Sequence, residues 1–156
     1  AKPAGAAGRV QVTCLVDPLP AARAQLRVQL HACGLLDDDE ASCIEHGSLE
    51  EALAADEDGR RFEAVVVMVP SFLVGGEDLH EREAGLALGA RRHVLLEKPI
   101  CVSSAAGERL LALWRACASD RVFAVAENAR FWPEVLEAKA AIDRGDIGHV
   151  LTARAC

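Results

Sequence analysis

The sequence predicts an α/β protein in which a mostly parallel sheet carries helices on both faces. Short apolar runs alternate with longer stretches of helix-forming residues along the whole chain, and this alternation is typical of such a sheet. The chain has 156 residues, of which 51% are hydrophobic but only 4% aromatic. This length suits one core. Because so few residues are aromatic, that core must consist mainly of Ala, Val and Leu side chains.

The first part of the chain alternates two strands with two helices. Strands are predicted at residues 10–16 and 42–45, the former because VQVTCLV is rich in β-branched residues and ends in a turn-forming pair. Apolar residues at helical spacing predict a helix over residues 21–33. A Ser-x-x-Glu capping pattern that starts at Ser48 predicts a second helix over residues 49–55.

The middle of the chain contains the most apolar strand. Residues 64–69 read AVVVMV, and a run without polar residues predicts a strand that is buried on both faces. A loop at Gly75 and Gly76 leads to a predicted helix over residues 79–88. A further strand follows at residues 94–96.

The last part of the chain adds two helices and two strands. A helix is predicted over residues 104–118 and a strand over residues 122–126. Pro133 suits the first turn of another helix, Gly145 suits its end, and a last strand is predicted at residues 149–155. The buried side of the first of these helices is predicted to contain Leu110, Leu111, Leu113, Trp114 and Cys117.

The charge balance argues against nucleic acid as a partner. The 24 acidic residues outnumber the 17 basic ones, and no long basic run could bind phosphates or an anionic membrane. The acidic run at residues 37–40 is interpreted as a solvated loop. The six cysteines show neither a CxxC pair nor zinc-ligand spacing, so we expect reduced thiols, no metal site and a cytoplasmic location.

Distinctive residues follow four of the predicted strands. In an open parallel sheet, ligands bind beyond the carboxyl ends of the strands, so these residues are candidates for a binding site. They are Asp17 and Pro18, Pro70 and Ser71, Glu97, Lys98 and Pro99, and Glu127 and Asn128.

Two of these residues carry charges that could meet a ligand. The Asp17 carboxylate could accept hydrogen bonds from the ribose hydroxyls of a dinucleotide, or Asp17 and Pro18 could simply form a turn. Lys98 could donate to a substrate oxygen or lie beside a nicotinamide ring, or it could be a solvated lysine at the end of a strand.

Pro99 and His80 each allow two interpretations. Pro99 restricts the backbone of Lys98 and is either a cis residue that fixes the direction of the lysine or a trans residue that ends the strand. His80 lies near the start of the helix that follows the strand ending at Pro70. It either faces the same crevice or caps the helix at the surface.

Five features, read in order, identify a resemblance: AVVVMVPS, His80, HVLLEKPI, AENARFWP and AIDRGDIGHV. In order and approximate spacing they resemble the glucose-fructose oxidoreductase and inositol dehydrogenase family of NAD(P)-dependent enzymes. The most specific part is EKP followed by RFWP. The resemblance runs from about residue 10 to the end of the chain.

The resemblance implies a Rossmann-type cofactor domain over residues 1–128 and the beginning of a C-terminal substrate domain over residues 129–156. It implies hydride transfer between NAD or NADP and a sugar, polyol or related cyclic alcohol, and a possible homo-oligomer through the substrate domain. Lys98 is the implied catalytic residue, and Arg130 is either structural or on the substrate side. The implied cofactor-binding residues are Asp17, Pro70, Ser71, His80, Glu97, Lys98, Pro99 and Asn128.

The choice between NAD and NADP rests on Asp17. A carboxylate at this position repels the 2′-phosphate of NADP and slightly favours NAD, although Arg23 lies nearby in the sequence.

The sequence departs from the family pattern at both ends. The family begins with a strand and a GxGxxG-type loop that holds the pyrophosphate, whereas Gly5 and Gly8 precede the first predicted strand. Because the missing strand lies inside the sheet, we expect two unpaired inner edges unless their strands pair directly or a partner fills the gap. Residues 71–79 also make the segment between the proline and the histidine longer than is usual in the family, and this bears on the assignment of His80.

These departures support the interpretation of the chain as a fragment that is inactive alone, since further catalytic residues of the family come from the substrate domain. The leading hypothesis is an NAD(P)-dependent oxidoreductase. The alternative is a non-catalytic binding or interaction module derived from the same family. A third reaction, elimination assisted by transient oxidation, would use the same residues.

Overall fold

A computed structural model describes residues 10–36 and 42–154, which form an α/β fold. The strands are β1 (Cys14–Val16), β2 (Ile44–His46), β3 (Ala64–Val67), β4 (Leu73–Val74), β5 (Glu77–Asp78), β6 (His93–Leu96) and β7 (Phe123–Val125). The helices are α1 (Pro20–Ala32), α2 (Leu49–Ala54), α3 (Leu79–Gly89), α4 (Ser104–Cys117) and α5 (Pro133–Arg144), and a 3₁₀ helix covers Asn128–Phe131. Gly5, Gly8 and the acidic run at 37–40 lie outside the described residues.

The parallel strands form two separate sheets. β1 pairs with β2 in one sheet, and the other has the order β3-β6-β7. Within residues 10–36 and 42–154, β1 and β3 each pair on one side only, so the expected free edges are present and the two strands do not pair directly. A hydrogen bond of 2.8 Å from Thr13 Oγ1 to the carbonyl oxygen of Arg61 links the two parts.

The larger core lies between the β3-β6-β7 sheet and the helices that follow its strands. Val94 and Leu96 point from β6 toward Leu88 of α3 and Leu110 of α4, and all four side chains are at most 2% exposed. Burial of each contributes about 1.5–3 kcal/mol to the free energy of unfolding. Leu15, Leu36 and Cys43 form a smaller core beside α1.

The opposite face of this sheet is open, which corrects the prediction that residues 64–69 are buried on both faces. Val66 and Leu95 are 55% and 40% exposed because side chains alternate along a strand and those of α3 and α4 pack only on the other face. Leu111 is also 39% exposed, contrary to its predicted place on the buried side of α4. The apolar run therefore predicted the strand correctly, but it did not show whether helices pack on both of its faces.

Residues 133–154 pack loosely against the rest of the described chain. No strand forms at residues 149–154, so the prediction of a last strand is wrong there, and Leu151 is 89% exposed. A strand needs a pairing partner, and none of the described strands supplies one to this segment. Helix α5 has no buried residue. None of the helices in the described ranges is long and apolar enough to cross a bilayer.

Local sequence signals set the helix ends as predicted. Ser48 Oγ accepts a hydrogen bond from the Glu51 N–H at 3.2 Å, while Glu51 Oε2 accepts one from the Gly47 N–H at 3.0 Å. Pro133 occupies the first turn of α5. Gly145 ends that helix with φ +78°, a left-handed conformation that favours glycine.

Asp56 is a buried charge between α2 and β3. Its side chain is 1% exposed, and its carboxylate accepts hydrogen bonds from the N–H groups of Arg61 and Phe62 at 2.9 and 3.3 Å. Arg92 Nη2 lies 3.3 Å from Oδ2. Burial acts to raise the pKa of Asp56, but these donors and the Arg92 charge outweigh it and lower the pKa.

We expect Asp56→Asn to reduce the free energy of unfolding by about 2 kcal/mol at pH 7, because it leaves Arg92 facing an uncharged group. A lowered pKa in the folded state means that the Asp56 contribution is complete above the ordinary value of 3.8 and is lost as the pH falls further. Urea unfolding at pH 7 and pH 3 should therefore show a smaller difference between variant and wild type at pH 3.

The matched control is Asp58→Asn, since Asp58 is 59% exposed and pairs with an exposed arginine. This variant should change the free energy of unfolding by no more than about 0.5 kcal/mol. A cost for Asp56→Asn that is the same at both pH values would contradict the assignment.

Candidate functional site

The carboxyl ends of β3, β6 and β7 meet at one edge of their sheet. The register pairs Val67 with Leu96 and Leu96 with Val125. The pairing continues one residue further, where the Glu97 N–H donates to the Val67 carbonyl at 3.0 Å and the Ala126 N–H donates to the Leu96 carbonyl at 2.9 Å. The three segments that follow these strands therefore leave the sheet side by side.

Most of the predicted site residues lie on these three segments. Pro70 and Ser71 follow β3, and Asn128 begins the 3₁₀ helix after β7. Glu97, Lys98 and Pro99 follow β6 directly. All are exposed except Glu97, which is half-buried. The structure brings these six residues to one sheet edge.

Lys98 presents its ammonium group to solvent at this edge. In the part of the chain that the structure describes, the ammonium makes no ion pair or hydrogen bond. The backbone N–H of Lys98 donates to Glu97 Oε2 at 3.0 Å, so the Glu97 carboxylate binds its own turn. The Lys98–Pro99 peptide bond is cis. Because the ammonium group has no partner in the described chain, the lysine charge is available to a ligand.

His80 lies beneath the sheet edge and not in the crevice. Its side chain is 1% exposed. Nδ1 lies 2.7 Å from the carbonyl oxygen of Pro99, and Nε2 lies 2.9 Å from that of Val69. Because backbone carbonyls occupy both ring nitrogens, the structure leaves no ring nitrogen for a cofactor and corrects the placement of His80.

Sequence reasoning missed Asp78, which organises the same region. Its Oδ1 accepts hydrogen bonds from the N–H groups of His80 and Glu81 at 3.1 and 3.3 Å, which caps α3. Its Oδ2 accepts one from the Val102 N–H at 2.8 Å, beyond the Lys98 turn. The signal was present, because Asp78 and Glu81 form an Asp-x-x-Glu capping pattern.

The long spacing before His80 corresponds to a small hairpin. β4 and β5 pair antiparallel around Gly75 and Gly76, which have φ values of +60° and +89°. Phe72 and Leu73 are 64% and 54% exposed on this hairpin. The extra residues therefore extend outward after β3 without displacing His80 from the helix start.

Asp17 lies at the end of β1, in the other sheet. Its Oδ1 accepts a hydrogen bond from the Leu19 N–H at 2.7 Å, which forms the predicted turn. Arg23 donates to the Asp17 carbonyl and, at 3.0 Å, to Glu45 Oε2. Hydrogen bonds from Arg27 and Arg23 lower the pKa of Glu45, so Arg23 is held by a carboxylate. No strand pairing in the described chain joins Asp17 to the other site residues.

Arg130 lies in the 3₁₀ helix beyond Asn128. It is exposed, and its guanidinium carbon lies 5.2 Å from the centre of the Phe131 ring. This position is on the path from the sheet edge to α5.

An open cavity of about 390 Å³ lies beside the Lys98 turn, at the start of α4. Its walls include Ile100, Cys101, Leu111 and Phe123, and none of the predicted site residues lines it. Burial raises the pKa of the Cys101 thiol to about 11, with a further contribution from the Asp78 carboxylate. This cavity is therefore apolar and next to the candidate site, not part of it.

Residues 2–126 match a family whose description is an oxidoreductase family with an NAD-binding Rossmann fold. The chain belongs to this Gfo/Idh/MocA family. The match confirms the resemblance and the Rossmann-type fold class, and it identifies the described sheets as an NAD-binding domain of an oxidoreductase family. No curated protein sequence matches the chain.

Solved structures with a similar fold include two complexes with a nicotinamide cofactor. WlbA dehydrogenase from Bordetella pertussis, in complex with NADH and UDP-GlcNAcA, is 24% identical with a TM-score of 0.68, over 89% of this chain and 34% of that chain. GenD2 from gentamicin A biosynthesis, in complex with NAD, is 26% identical with a TM-score of 0.68, over 91% and 34%.

A third structure, myo-inositol 2-dehydrogenase from Lactobacillus plantarum, is 16% identical with a TM-score of 0.66, over 90% of this chain and 35% of that chain. For this structure and for WlbA dehydrogenase, both under 25% identical, the likeness shows the fold alone. The chain spans about a third of the length of these three proteins.

We expect Cys101 to resist alkylation at pH 8, because a pKa of about 11 leaves only about 0.1% of the thiol as thiolate. Cys33 is exposed and should be modified first. Mass spectrometry after brief treatment with iodoacetamide measures both rates. The same reaction in denaturant is the control, since unfolding removes the burial. Equal rates for the two cysteines in the folded chain would contradict the expectation.

Proposed function

We propose that this chain is the cofactor-binding part of an NAD-dependent oxidoreductase that acts on the CH–OH group of a sugar, polyol or related cyclic alcohol. The observation that carries the proposal is the unpaired ammonium group of Lys98 at the edge where β3, β6 and β7 end. In an open parallel sheet this edge is the ligand-binding edge.

The described residues support part of a dinucleotide site. Asp17 has a carboxylate oxygen left to accept hydrogen bonds from a ribose after Oδ1 binds the Leu19 N–H. Pro70, Ser71 and Asn128 are exposed beside Lys98. These residues offer less to a pyrophosphate, because the sequence contains no GxGxxG loop to bind it. The residues therefore fit the two ends of the cofactor better than its middle.

Lys98 is the residue to which we assign a catalytic role. Bound NAD supplies the hydride acceptor. The Lys98 ammonium donates a hydrogen bond to the substrate hydroxyl oxygen and stabilises the negative charge that develops as its proton leaves. An ammonium cannot itself accept that proton, so the acceptor must come from another group, which we expect in the substrate domain. Residues 1–156 alone are then too few for turnover.

The preference for NAD has a structural basis. Asp17 and Glu45 are both carboxylates near the start of α1, and Arg23 donates to Glu45. A 2′-phosphate would meet the Asp17 charge while the nearest arginine is already paired. This arrangement supports NAD over NADP.

We propose that residues 1–128 form the cofactor domain and that residues 129–156 begin the substrate domain. Helix α5 supports this boundary, because it contains no buried residue while Val135, Leu136 and Ile142 are between 43% and 51% exposed. An amphipathic helix normally buries such a stripe. The rest of a substrate domain would cover it and could carry a homo-oligomer contact.

A sugar or polyol substrate is supported by the structural neighbours, which include a complex with UDP-GlcNAcA and a myo-inositol dehydrogenase.

We expect NADH to raise the melting temperature of the chain. At ten times its Kd, a ligand stabilises the folded state by about 1.4 kcal/mol, which corresponds to about 4 °C for a domain of this size. Lys98→Met should reduce the rise. Lys139→Met is the matched control, because Lys139 is 70% exposed and pairs with Asp143 in α5.

A lack of response to both nucleotides would decide against the proposal. A melting temperature that responds to neither NADH nor NADPH would contradict cofactor binding by this chain. It would favour a non-catalytic module that keeps the same sheet.

We expect Asp17→Asn to shrink the preference for NADH over NADPH by about tenfold, since one charge–phosphate repulsion and one charged hydrogen bond together are worth about 1.5 kcal/mol. Asparagine keeps an oxygen for the Leu19 N–H, so the turn should remain. Fluorescence titration with both reduced nucleotides gives the ratio of Kd values. Asp143→Asn in α5 serves as the control, and an unchanged ratio for Asp17→Asn would argue against a ribose contact.

A further inference from the structure

His80 joins the ends of two strands through its imidazole ring. The carbonyl oxygen of Val69 lies just beyond β3, and that of Pro99 lies in the turn after β6. They are 2.9 Å from Nε2 and 2.7 Å from Nδ1, and the ring is 1% exposed. Water therefore cannot replace either contact.

The ring contacts both segments at once. A carbonyl oxygen accepts hydrogen bonds, so a ring N–H of His80 donates to one of the two oxygens, while the other ring nitrogen lies less than 3 Å from the second. The Asp78 carboxylate, two residues earlier, accepts the backbone N–H of His80 and fixes the residue at the helix start.

The Lys98 turn is held at two further points. The Glu97 carboxylate accepts the Lys98 N–H, and the Asp78 carboxylate accepts the Val102 N–H beyond the turn. Asp78 and His80 both belong to the start of α3. The first turn of one helix therefore fixes both the middle and the far end of the segment that carries Lys98.

We propose that the buried His80 ring ties the Lys98 turn to the end of β3, and that His80 is a positioning residue for Lys98. Its ring does not meet the ligand. It sets the distance between the β3 and β6 segments and so the place from which the lysine ammonium reaches into the site. The role in catalysis rests on the proposed function, whereas the bridge itself does not.

The first test is nuclear magnetic resonance of the unmodified chain labelled with ¹⁵N-histidine at pH 7. A ring N–H of His80 should be protected from exchange with solvent, in contrast to the exposed ring of His149. A His80 ring N–H that exchanges as fast as that of His149 would overturn the proposal. This measurement requires neither cofactor nor a variant.

The second test is the variant His80→Gln, whose single amide nitrogen cannot lie against both carbonyls as the two ring nitrogens do. The backbone amide signals of Lys98 and Ile100 should shift, since Ile100 shares its peptide group with the Pro99 carbonyl. His149→Gln is the matched control and should leave them unchanged. Unmoved Lys98 and Ile100 signals in folded His80→Gln would also overturn the proposal.

The third test separates positioning from general stability. If His80 acts through Lys98, His80→Gln should lose the same share of the NADH-dependent rise in melting temperature as Lys98→Met, and the double variant should lose no more than either. Additive losses would show that His80 acts independently of Lys98 and overturn its positioning role. A melting temperature of the wild-type chain that NADH does not change would instead contradict the proposed function, and the protection of the His80 ring N–H would still decide the bridge.

Discussion

The parallel register of β3, β6 and β7 is the constraint on which the core and the candidate site both depend. Leu96 is fully buried while its neighbour Leu95 is 40% exposed, so a slip of one residue in β6 would exchange a core side chain for an exposed one. The same slip would move Lys98 by one residue relative to the end of β3. The energy of core burial therefore also fixes where the lysine leaves the sheet.

Helix α3 transmits this order to the site. Ala84, Ala87 and Leu88 are fully buried against the sheet, and the two alanines allow the helix to lie close to it. The first turn of the same helix carries Asp78 and His80, whose contacts reach the Lys98 turn. Because one end of the helix is anchored in the core, its capped end supports a segment that is otherwise exposed.

The sequence was most informative where a signal acts locally. Ser48, Pro133 and Gly145 determine helix ends through their own backbone or side-chain hydrogen bonds, and the EKP triplet located Lys98 through a family resemblance. Whether a helix packs on each face of the sheet was not predictable in this way, because Val66 fits an apolar strand in either case. The strand expected after His149 depended on a partner strand, which a local pattern does not reveal. His80 was located correctly along α3, but its burial depends on carbonyl groups from two distant segments.

Exposed apolar surface connects the remaining features. It lies on the open face of the sheet at Val66 and Leu95 and along α5 at Leu136. We expect any group that covers the open face to stabilise the strands that end at Lys98, because it removes this apolar surface from water.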